Sequence, residues 1–80
     1  LYEGSGVKKD YNEAVNWFEK AAYQGDANAQ TRLGLCYERG HGVSKNAKRA
    51  VELYKKAAEI GCPEAQYNLA MCYYTGNGVP

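Results

Sequence analysis

The sequence predicts an all-α chain, an α/α solenoid of antiparallel helix pairs with about four helices. Three observations carry this. A 36-residue period spans the whole chain, and residues 1–44 align with residues 37–80 without a gap at 18 identities. Within each period two segments place apolar residues at helical spacing. Between them sit glycines and capping residues of the kind that start and stop helices. A fixed period of this length marks a solenoid, whose units bury a continuous core only by stacking on their neighbours.

Each element follows from its residues. Asp10 is placed to cap the first helix, and Glu13 three residues later completes a capping-box pattern. Ala14, Val15, Phe18, Ala21 and Ala22 then recur at helical spacing until Gly25 supplies a left-handed residue. This predicts a helix over about 11–24, designated type B. The next helix, type A, starts after Asp26 and runs over about 27–39, with Ala29, Leu33, Cys36 and Tyr37 on its apolar stripe. A turn with Gly40, Gly42 and Val43 follows, echoing Gly4, Gly6 and Val7 and returning at Gly76, Gly78 and Val79. The second B helix, about 47–60, carries Ala50, Val51, Tyr54, Ala57 and Ala58 behind Asn46 and ends at Gly61. The second A helix, about 63–75, follows Cys62, with Pro63 at the first helical position, where its missing N–H costs nothing. Its stripe is Ala65, Leu69, Cys72 and Tyr73. Gly34 and Ala70 let a neighbouring helix approach, while Phe18, Tyr37, Tyr54 and Tyr73 fill the core.

Composition narrows the class. The 80 residues make at most one compact unit. A net charge of +1 predicts no strong pull toward nucleic acid or anionic lipid. No apolar run approaches the roughly 18 residues of a membrane span, so membrane insertion is not expected. The chain begins and ends in mid-repeat and reads as a piece of a longer array: a partial repeat over 1–26, a full one over 27–62 and a partial one over 63–80.

Chemistry finds no foothold. The single histidine, His41, stands between two turn glycines, a poor place to hold a general base against a nucleophile. The turns lack the third glycine of a dinucleotide loop and follow helices instead of strands. Cys36 and Cys72, one period apart on the buried stripe, read as small core hydrophobes. No Cys-x-x-Cys pair exists, so no zinc site is expected, nor any other metal or cofactor. Cys62 falls at a helix N-cap, where the helix dipole favours a thiolate, and reads as an incidental surface thiol. An odd number of unpaired-looking cysteines points toward a reducing compartment. The basic residues Lys45, Lys48, Arg49, Lys55 and Lys56 alternate with Glu52 and Glu59 in i, i+4 pairs, the pattern of a solvated helix face and not of a nucleic-acid stripe.

At this point the residues resemble a known family. Ala29 with Gln30, Leu33 with Gly34, Tyr37, Gly40, Gly42 with Val43, Ala50, Tyr54, Lys56 to Ala58 and Gly61 reproduce the pattern of Sel-1-like repeats. The resemblance covers the whole chain. It implies a fold similar to tetratricopeptide arrays, with helix A lining the concave face, and a role as an adaptor that holds partner proteins. Cysteine-rich bacterial members pair cysteines at positions that here hold Ala22 with Gln30 and Ala58 with Gln66, so their disulfide framework is not expected.

The concave assignment locates a candidate partner-binding face. Off the core stripe of the first A helix lie Asn28, Thr31, Arg32, Leu35, Glu38 and Arg39. The second A helix offers Glu64, Tyr67, Asn68, Met71, Tyr74 and Thr75. Tyr67, Met71 and Tyr74 stand at i, i+4 and i+7, an apolar stripe that suits a peptide contact or, equally, a following B helix. The reading is therefore a non-enzymatic protein-interaction scaffold, taking a protein or peptide partner. The competing readings are a regulatory or localising segment of a larger multidomain protein, and a structural spacer. Bare end faces also predict head-to-tail self-association.

Overall fold

The computed structural model describes residues 10–80. Four helices follow in order: α1 (Tyr11–Tyr23), α2 (Ala27–Arg39), α3 (Ala47–Ile60) and α4 (Pro63–Thr75). No strand occurs among the described residues. The chain is an all-α solenoid in which α1 and α3 are the B helices and α2 and α4 the A helices. The turn of Gly4, Gly6 and Val7 lies outside the described residues.

Local chemistry sets the boundaries. Three N-cap side chains accept from the backbone N–H three residues on: Asp10 from Glu13 at 3.0 Å, Asp26 from Ala29 at 3.2 Å and Asn46 from Arg49 at 3.0 Å. Each satisfies one of the donors that a helix start leaves unpaired. At the other ends the chain turns left-handed, with Gly40, Gly61 and Gly76 as C-caps. Gly25 follows the Gln24 cap of α1 at a φ of 93°, and Asp26 N–H closes the end on Ala21 O at 3.1 Å. The turn between α2 and α3 is held by Asn46 N–H on Tyr37 O at 2.8 Å.

Two core clusters repeat with the period. The first contains Val15, Leu33, Cys36 and Leu53, with Phe18, Tyr37 and Val43 packed against them. The second contains Ala50, Val51, Tyr54 and Cys72, with Leu35, Tyr37, Leu69 and Val79 around them. Tyr37 belongs to both, so one A-helix ring joins successive layers. Tyr54 is 0% exposed and lies against Gly34, where an added Cβ would stand 2.6 Å from the ring. Glycine is what lets α2 come this close to α3.

Three expectations need correction. Tyr73 does not fill the core; it is 54% exposed, because among the described residues no helix lies over it as α3 lies over Tyr37. Leu53, absent from the expected stripe, is buried at 3% and contacts the layer of α1. Glu52 pairs with Arg49 at 3.3 Å, an i, i+3 geometry, and not with Lys48 or Lys56. Both side chains of that pair are exposed, so its contribution stays within about 0–1 kcal/mol.

Candidate functional site

The helix-A residues proposed as a partner face divide into two rows. Asn28, Arg32, Leu35 and Arg39 follow each other at steps of four, three and four along α2, and Glu64, Asn68, Met71 and Thr75 match them on α4. Asn28, Arg32, Arg39, Glu64, Met71 and Thr75 are exposed, and Leu35 and Asn68 are half-buried. Arg32 reaches across to Glu64 at 3.7 Å, which ties the two helices together along this row. Thr75 turns its hydroxyl inward to donate to Met71 O at 2.9 Å.

The second row faces the next layer. Thr31 is not on an open surface: it is 0% exposed, donates to Ala27 O at 2.9 Å and lies 3.5 Å from the Cys62 sulfur. A threonine can be buried in a helix because its hydroxyl is satisfied by the carbonyl one turn back. Glu38 is half-buried and accepts from the Tyr54 hydroxyl at 2.6 Å. Their equivalents one period later are Tyr67 and Tyr74, which are 66% and 86% exposed. By the period those two rings stand where α2 carries Thr31 and Glu38, and Met71 stands at the border of both rows.

Beside the α2 row a cleft of about 380 Å³ opens toward α1. Ala14, Phe18, Leu35 and Cys36 line its apolar part, and Asp10, Arg32, Arg39 and His41 its rim. His41 stacks on Tyr11 with ring centroids 4.3 Å apart. That contact was not legible in the sequence, where His41 reads only as a turn residue. A rim with two guanidinium groups and one carboxylate favours anionic groups over cationic ones.

Burial tunes the ionisable side chains. The Tyr54 phenol is pushed well above its ordinary value, first by desolvation and then by its hydrogen bond to the Glu38 carboxylate. Burial also raises the Cys36 and Cys72 thiols, and Glu38 adds to the effect on Cys72. Cys62 moves the other way. The Thr31 hydroxyl pulls its thiol down, followed by the Ala65 backbone N–H at the start of α4. That hydroxyl has one proton to divide between Ala27 O and the sulfur, so the pull is modest.

Cys62 is also not the surface thiol its sequence position implied. It is buried at 8%, within the small cluster of Ala57 and Ala65. All three cysteines are free. Brief alkylation of the native chain should still label Cys62 before Cys36 and Cys72. Cys62 is the more acidic thiol and sits at a helix start, whereas the others lie in the last turns of α2 and α4 with thiols raised by burial. Peptide mass mapping in which Cys36 reacts first would contradict this order. Among the described residues no group of three or more His, Cys, Asp or Glu side chains could hold a metal ion.

Comparison with known proteins agrees with this fold. The chain superposes on a Sel1 repeat protein from Oxalobacter formigenes with a TM-score of 0.84 and 45% identity, covering 94% of this chain and 31% of that one. It superposes on a protective antigen of uropathogenic Escherichia coli strains, which displays an SLR fold, with a TM-score of 0.88 and 39% identity. That match covers 95% of this chain and 16% of the other, so the chain spans less than a third of either structure. Comparison with curated protein sequences returns no match. The family model described as Sel1 repeat matches residues 1–26, 27–62 and 63–80, which with the two superpositions places this chain in the Sel1 repeat family.

Proposed function

We propose that the chain is a non-enzymatic protein-interaction module that holds a partner peptide along the exposed row of α2 and α4. The observation that carries this reading is the row itself. Two lines of mostly exposed side chains, one on α2 and one on α4, are joined by the Arg32–Glu64 pair at 3.7 Å. Repeat arrays present such lines as extended binding surfaces. The chemistry is graded along it: Arg32, Arg39 and His41 lie at the α2 end, and Met71 with Thr75 at the other. This suits an extended peptide with a carboxylate side chain near Arg39 and an apolar one near Met71. No helix among the described residues is long and apolar enough to cross a membrane.

Panning a peptide library against the chain tests the reading. Enriched peptides should carry an acidic residue a few positions from an apolar one. Arg39→Glu should weaken their binding by at least about tenfold, in the range of an interface anchor, while leaving the helix content unchanged. Arg39 is exposed, so with the helix content unchanged a loss of binding would not reflect unfolding. A library that yields no enrichment, or peptides indifferent to Arg39→Glu, counts against this face.

A further inference from the structure

We propose that a cavity between α1, α2 and α3 binds the α-carboxylate end of an apolar amino acid. Its walls are three consecutive described helices, and on α1 its lining residues all lie in the C-terminal half. The cavity has a volume of about 270 Å³, at the small end of ligand pockets, which suits a single residue. It is separate from the peptide row. At about 100° per residue, Gln30 and Leu33 stand on the side of α2 turned away from Asn28 and Arg32, so the two sites stand or fall independently.

Three features of the lining define the ligand. The first is an acceptor. Gln30 is 6% exposed and donates through Nε2 to Ala22 O at 3.3 Å, a bond that Gln66 repeats on Ala58 O. The carbonyl it meets fixes which way the amide points. Its other half, Oε1, is buried without a partner among the described residues, so it calls for an N–H donor. The second feature is an apolar floor, formed by Leu33 and Leu53, each 3% exposed. The third is a charge pattern. Arg49 and Lys56 flank Leu53 on α3 at steps of four and three, and Glu19 stands on α1; all three are exposed. Neither Lys56 nor Glu19 has an ion-pair partner among the described residues. Arg49 is oriented by Glu52 at 3.3 Å and by the Tyr37 ring at 5.9 Å, and gives one of its five N–H donors to that carboxylate. The cationic wall on α3 takes a carboxylate, an adjacent N–H reaches Gln30 Oε1, and a side chain between them covers the two leucines. An α-amino acid carries these three groups on one carbon. A phosphate dianion would meet Glu19, and an apolar ligand without a donor would leave Oε1 unpaired. The C-terminal residue of a protein chain and a free amino acid share this chemistry. In the free amino acid the ammonium group adds an attraction to Glu19.

Titration of the isotope-labelled 80-residue chain with N-acetyl-L-leucine and with L-leucine, followed by amide NMR shifts, tests this. Saturable shifts should centre on Gln30, Leu33 and Leu53. A millimolar Kd is expected, as about a dozen non-hydrogen atoms allow. N-acetyl-L-leucinamide lacks the carboxylate and isocaproate lacks the N–H. Each should bind at least about tenfold more weakly than the better of the two probes. These deletions are made in the ligand and leave the bond from Gln30 to Ala22 O intact. Arg49→Gln combined with Lys56→Gln should weaken binding by a similar factor. Both side chains are exposed, and circular dichroism establishes that the variant is folded. Should it fail to fold, the ligand series decides alone. L-leucine binding more tightly than its acetylated form assigns the site to a free amino acid; the reverse assigns it to a chain end. No saturable shift with either probe overturns the site. So does an amide or an isocaproate that binds as well as the better probe, or a folded double variant that binds like the wild type.

Discussion

Replacing Tyr54 by alanine should lower the stability of the chain by about 3–5 kcal/mol, the range for truncating a fully buried aromatic residue. The ring is 0% exposed, sits between α2 and α3, and is one of the two largest side chains buried completely. Its neighbours cannot collapse into the space, because Gly34 offers no side chain and Ala50 on its own helix is already fully buried. Small domains have unfolding free energies near the lower end of about 5–15 kcal/mol, so the variant should be substantially unfolded at room temperature. Tyr54→Phe separates the ring from its hydroxyl. It keeps the packing but leaves the half-buried Glu38 carboxylate without its 2.6 Å donor, a loss of about 1–3 kcal/mol.

Alkaline pH reads the same hydroxyl independently. The phenol's value in the folded chain lies above its ordinary 10.0, so the folded state holds the proton more tightly than the unfolded state does. The resulting stabilisation is complete below pH about 10 and is lost as pH rises from there toward the folded value. Urea unfolding of the wild type at rising pH should therefore show a steeper loss above pH about 10 than Tyr54→Phe shows. Parallel losses in the two proteins would mean that the hydroxyl is not held as described.

Much of this architecture could be read from the residues, and the exceptions share a cause. The helix bounds followed from Asp26, Asn46, Pro63, Gly40 and Gly61, whose chemistry acts locally and does not depend on tertiary context. The faces were harder. A helix in a solenoid is buried on two sides, against its own partner and against the next layer, so a single apolar stripe underestimates what is covered. Leu53 is not marked by the repeat, because Trp17 stands one period before it. Thr31 is not marked because it is polar, yet its hydroxyl is satisfied within its own helix turn and asks nothing of solvent. Glu38 and Tyr54 lie sixteen residues apart, and nothing in either copy marks them as a pair. Tyr73 is an aromatic residue on the apolar stripe and so reads as core, although burial depends on the helix that covers a ring as much as on the ring. The sequence does not separate the outward row of Arg32, Arg39 and Glu64 from Thr31 and Glu38 for the same reason: position off one stripe does not say which of two neighbours lies beyond it.

Two substitutions of the same kind should differ sharply, and the difference isolates how the layers are set. Gly42 and Gly61 both have positive φ, 79° and 103°. Alanine at Gly61 meets nothing within 4 Å, so Gly61→Ala should cost only the backbone strain of about 1–2 kcal/mol. Alanine at Gly42 carries that strain and also drives its methyl to 2.5 Å from the carbonyl oxygen of Tyr11 and 2.9 Å from Val15 Cγ2. A carbonyl oxygen at a helix start cannot swing aside as a side-chain tip does, so the turn itself must lift off α1. The total for Gly42→Ala should reach about 2–5 kcal/mol, by adding overpacking of about 1–3 kcal/mol to the strain. Gly78 repeats the arrangement, with Ala47 O at 2.5 Å, so Gly78→Ala should behave like Gly42→Ala and not like Gly61→Ala. Chemical denaturation of the three variants ranks them directly. Equal losses at Gly42 and Gly61 would show that the close approach carries no energy. A large gap would mean that the second glycine of each turn lets the connection between A and B helices rest on the preceding B helix. That seat fixes the angle between layers, and through it the alignment of Arg32 with Glu64 along the outward row.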